Sequence, residues 1–77
     1  MQIILSIMTT LEQGVNGKTH LMYRANLDSR AIKRYLTFLL EKGLLQGQEN
    51  DGRLTYALTD KGREFLNRYR DLEGFFS

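Results

Sequence analysis

The sequence predicts a mostly helical α+β domain with three helices, a two-stranded hairpin and a final helix, in that order. Three observations carry this expectation. From residue 2 to residue 42 the apolar residues recur at helical spacing, with breaks at Gly14–Gly17 and Ala25–Leu27. After Gly43 the period shifts to two, around the turn dipeptide Asp51-Gly52. From Thr59 onward helical spacing returns and persists to Phe76. The chain has 77 residues, enough for one domain spanning 1–77.

The first helix is predicted over residues 2–13, where Ile4, Ile7, Met8 and Leu11 fall at i, i+3, i+4 and i+7. Ile3 and Leu5 lie off that stripe, so this helix is apolar on more than one side. A short second helix follows from Lys18 or Thr19 to about Arg24, with Leu21 and Met22 facing inward. Ala25-Asn26-Leu27 forms a tight connection in which Asn26 is best able to take a left-handed backbone conformation. Asp28 then serves as N-cap, its carboxylate accepting from the free amides of the next turn. The third helix covers residues 28–42, from that cap, and stops at Gly43 as its C′ residue. Ile32, Tyr35, Leu36, Leu39 and Leu40 form its core stripe, while Arg30, Lys33, Arg34 and Thr37 occupy the opposite face. In the second strand Leu54, Tyr56 and Leu58 share one face, and Arg53 and Thr55 the other. A hairpin of this size is too small to be stable alone, so it must pack on the helices. Thr59 caps the last helix, 59–76, whose Phe65, Tyr69, Leu72 and Phe76 follow a four-three-four spacing.

Composition removes several classes of function. There is no cysteine, and His20 is the only histidine, so disulfides and thiolate or multi-histidine metal sites are excluded. No Ser/His/Asp or Cys/His constellation can be assembled, and Gly14 and Gly17 lack the spacing of a phosphate-cradling loop. The expectation is a protein that is not an enzyme and uses no cofactor and no metal. No apolar run approaches the roughly 20 residues needed to span a bilayer. Ile3-Ile4-Leu5 also lacks the flanks of a signal peptide. A cytoplasmic location without a membrane partner is therefore expected, and no small-molecule ligand is evident.

Charge is unevenly distributed. Between Lys18 and Arg34 five basic residues (Lys18, Arg24, Arg30, Lys33, Arg34) face one acid, Asp28, although the whole chain carries only +2. A basic block in an otherwise slightly acidic chain points to an anionic partner.

The residues also resemble a known group. Lys18-Thr19-His20-Leu21-Met22-Tyr23-Arg24-Ala25-Asn26-Leu27 is similar to a signature of archaeal winged helix-turn-helix transcriptional regulators and the related ten-kilodalton archaeal chromatin proteins. Tyr35-Leu36 with Leu39, Glu41-Lys42-Gly43-Leu44-Leu45, and Tyr56-Ala57-Leu58-Thr59-Asp60-Lys61-Gly62 resemble further stretches of that family, so that the likeness runs over residues 3–76. It implies a winged helix-turn-helix fold, duplex DNA as partner, and a homodimer joined through the C-terminal helix. It also places the recognition helix at Ser29–Lys42 and the wing around Glu49–Arg53.

Physical chemistry supports the same assignment. An α-helix fits the major groove of B-DNA, and Arg30 and Arg34 have the fork geometry that matches guanine O6 and N7. Ser29 and Thr37 can reach phosphates or bases, and Lys33 is a point charge suited to phosphate. Lys18 and Arg24 flank the second helix in backbone-positioning places. Arg53, at the base of the wing, can follow the minor groove or a phosphate, whereas Glu49 and Asp51 beside it oppose a basic wing tip. For His20, an idle surface position and a phosphate contact are equally open. Tyr23, Tyr35, Tyr56 and Tyr69 fall at core or interface positions rather than on a base-stacking platform. Phe65, Tyr69, Leu72, Phe75 and Phe76 present more apolar surface than one small domain can cover, which favours a homodimer, with Ile3 and Leu5 as contributors. The alternative is a winged-helix protein–protein interaction module, which would tolerate an apolar or acidic face on the third helix.

Overall fold

Helix α1 (Gln2–Glu12) buries Ile7, Met8, Thr10 and Leu11, the inward stripe expected from their spacing. The computed structural model describes residues 2–76, so Met1 and Ser77, the ends of the expected 1–77 domain, lie outside the described residues. Helix α2 (Lys18–Arg24) buries Leu21, and α3 (Ser29–Glu41) buries Ile32, Leu36 and Leu39. Strands β1 (Leu45–Asn50) and β2 (Arg53–Leu58) pair antiparallel, and α4 (Asp60–Phe76) closes the chain. Among the described residues no helix is long and apolar enough to cross a membrane.

One core unites these elements. Ile7, Met8, Leu21, Ile32, Leu39 and Leu66 are the largest fully buried side chains, contributed by all four helices, and Leu45, Tyr56 and Leu58 close it from the hairpin. Two backbone ties fix the hairpin to the helices. The Tyr56 amide donates to the Asn16 carbonyl at 3.0 Å, and Gly17 forms a bridge with Thr55. The loop after α1 thus contributes one isolated bridge to β2.

Local chemistry sets the boundaries. Asn26 has φ +56°, as its place in the tight connection requires. The Asp28 carboxylate accepts from the Ala31 amide at 2.7 Å, the expected N-cap of α3. The helix ends at Glu41 with Lys42 as C-cap, one residue earlier than the sequence pattern suggests, and Gly43 follows at φ +73°. In the hairpin Asn50 pairs with Arg53, so the turn is the two residues Asp51 and Gly52, both at positive φ. The strand therefore extends through Glu49 and Asn50.

Leu40, expected on the core stripe of α3, Leu54, on the β2 face shared with Tyr56 and Leu58, and Tyr23, expected at a core or interface position, all lie outside the core. Leu40 and Leu54 are largely exposed, and Tyr23 stands 72% exposed on the outer side of α2. For Leu54 the reason is the length of the hairpin. Alternation along β2 is correct, but only its base reaches the helices, so Tyr56 and Leu58 are buried while Leu54 projects past them. For Leu40 the stripe was drawn too wide: Ile32, Leu36 and Leu39 already fill the contact that α3 makes. Tyr23 falls on the far side of a seven-residue helix that buries only Leu21.

Candidate nucleic-acid interface

The α2–turn–α3 unit is rigidly connected. The Leu27 amide donates to the Met22 carbonyl at 2.9 Å and the Asn26 amide to that of Tyr23 at 3.1 Å, so the turn inherits the geometry of both helices. With Ile32, Leu36 and Leu39 anchored in the core, the opposite side of α3 is forced outward. Ser29, Arg30, Lys33, Arg34 and Thr37 are all exposed there, as expected from their spacing. The Asp28 carboxylate is turned back onto its own helix as a cap, which leaves the outward stripe without an acid.

Lys18 joins this surface from α2. Together with Lys33 and Thr37 it lines a groove of about 280 Å³ between α3 and the hairpin, whose floor is Leu36 and Tyr56 and whose walls are Leu40 and Leu54. Arg24, on the last turn of α2, and Arg53, at the start of β2 beside the wing turn, are exposed but do not line that groove. His20 is exposed on α2. The wing tip carries Glu49 and Asp51, both exposed, next to Arg53.

The ion pairs single out the arginines of α4. Arg63, Arg68 and Arg70, all on α4, are paired with Asp60, Glu64 and Glu12 at 3.2, 2.6 and 2.7 Å. Among the described residues, Lys18, Arg24, Arg30, Lys33, Arg34 and Arg53 make no ion pair and no side-chain hydrogen bond. The α4 arginines thus have acidic partners within the fold, whereas the arginines of α2, α3 and the wing have none among the described residues. Unpaired cations concentrated on one side of a small protein generate a field that attracts polyanions.

Helix α4 carries the residues expected at a subunit interface, and they divide along its length. Phe65 packs against the core of its own domain and lines an apolar groove with Ile4, Phe38 and Leu44. Ile3 and Leu5 are also half-buried against that core. Tyr69 is half-buried, and beyond it Leu72, Phe75 and Phe76 are exposed, the last two by 81% and 79%. The Phe75 and Phe76 rings meet edge to face with centroids 5.2 Å apart.

Sequence reasoning missed several positions that shape this surface. Phe38 is largely exposed, with the Lys42 ammonium 5.7 Å above its ring; the periodicity of α3 places it off the core stripe, which was the available signal. Gly62 is buried against the Leu44 carbonyl, and nothing local in the sequence announces that approach. The long-range Glu12–Arg70 pair is likewise invisible before the chain folds.

Comparison with known proteins places this geometry among relatives. The profile of the winged helix-turn-helix family matches residues 1–75. Two uncharacterized proteins of Methanocaldococcus jannaschii are similar in sequence: one is 28% identical over 71 residues, and the other 31% identical over 70. These matches take in 92% and 91% of this chain, but 69% and 31% of the relatives' own lengths. Among solved structures, the DNA-binding protein Sso10a-2 of Sulfolobus solfataricus superposes with a TM-score of 0.74 at 23% identity, covering 96% of this chain and 80% of that one. ZitR, a zinc-responsive MarR family member of Lactococcus lactis, superposes with a TM-score of 0.69 at 17% identity, covering 97% of this chain and 62% of that one. At these identities the likeness is one of fold.

Proposed function

The chain belongs to the winged helix-turn-helix family, and we propose that it is a double-stranded DNA-binding protein, acting as a transcriptional regulator or small chromatin protein. The observation that carries this reading is the segregation of cations. Among the described residues, every arginine that makes an ion pair is on α4, while Arg30, Lys33 and Arg34 project unpaired from the outward face of α3. In this arrangement α3 enters the major groove. Arg30 and Arg34 read base edges or grip phosphates, Ser29 and Thr37 contribute hydroxyls, and Lys33 contacts the backbone. Lys18 and Arg24 position the backbone beside α2. Arg53 adds a contact from the wing, whose acidic tip stays clear of the phosphates. That Sso10a-2 is described as a DNA-binding protein agrees with this assignment. The face offers cations and hydroxyls but no paired acid and base, which suits binding without catalysis.

The same reading includes a homodimer. Leu72, Phe75 and Phe76 on the outer half of α4 are apolar and left uncovered by the domain's own core, with half-buried Tyr69 leading into them. Large aromatic groups left in water at one end of a helix favour association with a second copy. A two-fold dimer would present two α3 helices to a pseudo-palindromic site. Phe65 contributes at the inner edge of that surface.

The test is duplex affinity, by fluorescence anisotropy, across a range of salt for the wild type and for Arg30→Ala/Arg34→Ala. The expected outcome is binding that weakens linearly on a log–log salt plot, and a loss of about tenfold or more in the variant. No binding at about 50 mM salt, or a variant that binds like the wild type, would overturn the assignment and leave a protein-binding role for α3.

A further inference from the structure

Ile4, Phe38, Leu44 and Phe65 meet in an apolar groove of about 320 Å³, with Lys42 and Lys61 at its rim. These residues come from the start of α1, the end of α3, the loop that follows it and the start of α4. No local pattern announces such a site. Ile4 and Phe65 are half-buried and Leu44 is buried, whereas Phe38, a large aromatic, stands 42% exposed. None of the residues assigned above to DNA lines the groove, although Arg34 precedes Phe38 by one turn of α3.

The Lys42 ammonium stands 5.7 Å from the centroid of the Phe38 ring, and Lys61 Nζ donates to the Lys42 carbonyl at 2.9 Å. That bond answers the negative end of α3 and leaves Lys61 further protons to donate. Neither lysine has an ion-pair partner among the described residues. The neighbouring acids are placed otherwise. Asp60 and Glu64 hold Arg63 and Arg68 at 3.2 and 2.6 Å, Glu41 is exposed, and none of the three lines the groove. An uncharged apolar ligand would strip water from two cations without supplying counter-charge. An inorganic anion would satisfy the lysines and leave the apolar floor in water. A molecule with an apolar body and one carboxylate meets both requirements. The groove is also large enough for one, at the lower end of the range of about 300–1,000 Å³ that small-molecule sites span.

We propose that this groove binds a small amphipathic monocarboxylate, its apolar body against Ile4, Phe38, Leu44 and Phe65 and its carboxylate between the Lys42 and Lys61 ammonium groups. The site stands apart from the duplex-binding reading above, because the two share no residue.

The experiment titrates the isotope-labelled protein with phenylbutyrate, with the corresponding alcohol phenylbutanol and with inorganic phosphate, following amide resonances by NMR. Phenylbutyrate is expected to shift the amides of Ile4, Phe38, Leu44 and Phe65, and phosphate to leave them unmoved. The acid should bind about three- to tenfold more tightly than the alcohol, the scale of a partly exposed charge-assisted contact. Lys42→Gln/Lys61→Gln should remove that preference and still bind the alcohol. Phe38→Ala should weaken both ligands, with thermal melting as the check on folding. Equal affinity for acid and alcohol in the wild type, or shifts centred on another surface, would overturn the proposal. A folded lysine variant that keeps the preference would do the same. So would a ligand affinity that falls as protein concentration rises, which would give the groove to a second copy of the chain.

Discussion

The Arg70 guanidinium grips the Glu12 carboxylate with both arms, at 2.7 and 3.0 Å, and so clamps the middle of α4 to the end of α1. The hydrogen bond from Arg70 is the main reason the Glu12 carboxyl is held below its ordinary value; desolvation opposes it, and the attraction of the Arg70 charge adds to it. A carboxyl whose folded value is depressed binds protons more readily once unfolded. Its contribution to stability is therefore present above the ordinary glutamate range and lost as pH falls through the lowered folded value. We predict that Glu12→Gln is less stable than the wild type at neutral pH and that this gap narrows on acidification through that range. Melting temperature against pH for both proteins measures it; a gap independent of pH would contradict the assignment. Both side chains are substantially exposed, so the effect is modest and shrinks with added salt.

Gly62 lies in the first turn of α4, where alanine would ordinarily favour a helix by up to about 1 kcal/mol. Here the sign reverses. A Cβ at this position would collide with the Leu44 carbonyl oxygen, which is itself held by the Thr59 amide at 3.1 Å. We predict that Gly62→Ala destabilises the fold by about 1–3 kcal/mol, the usual cost of overpacking. Chemical denaturation measures it, and a stabilised variant would show that α4 can shift away from Leu44.

Thr59 links the end of α3 to the start of α4. Its hydroxyl donates to the Gly43 carbonyl at 2.6 Å and accepts from the Gly62 amide at 3.0 Å. Thr59→Val keeps the shape and removes both bonds, and should cost about 1–2 kcal/mol. Because Lys61 also donates to the Lys42 carbonyl, at 2.9 Å, some of the junction survives in the variant. Hydrogen exchange should therefore rise locally at Leu44 and Gly62 before the rest of the chain. Uniform exchange across the domain would contradict this.

Under the proposed homodimer, the outer half of α4 forms the subunit interface. Phe75→Ala/Phe76→Ala removes the two most exposed large apolar side chains, neither of which belongs to the core of the domain. We predict that sedimentation finds the wild type as a dimer and the variant shifted toward monomer, with melting of the monomeric fold little changed. An unchanged dimer mass would place the interface elsewhere. Leu72→Asp, one turn earlier, should have the same effect.

Most of the architecture was legible before folding because it depends on short-range patterns. The spacing of Ile7, Met8 and Leu11, the Asp28 cap, the Asn26 connection and the Asp51-Gly52 turn each act within a few residues, and all appear in the structure as expected. The outward stripe Arg30, Lys33, Arg34 and Thr37 was legible for the same reason, since anchoring one side of a helix fixes where the other side points. Pattern alone could not say how far a buried face extends. It gave Leu40 and Leu54 the right side of their elements, but whether anything lies above them depends on where α3 and β2 end relative to the rest of the domain.

By itself, then, the sequence determined the order of elements, their caps and turns, and the sign of the charge on α3, because these follow from periodicity and local hydrogen bonding. The Asp60–Arg63 and Glu64–Arg68 pairs are spaced i,i+3 and i,i+4 within α4 and are local, whereas only the tertiary structure brought Glu12 to Arg70. Glu12 and Arg70 are 58 residues apart in the chain, and their meeting depends on the packing of α1 against α4. The same holds for the Gly62–Leu44 approach and for the groove that gathers Lys18, Lys33, Leu40 and Leu54 from three elements. Contacts between distant segments are set by how the whole core closes, and no local pattern encodes them.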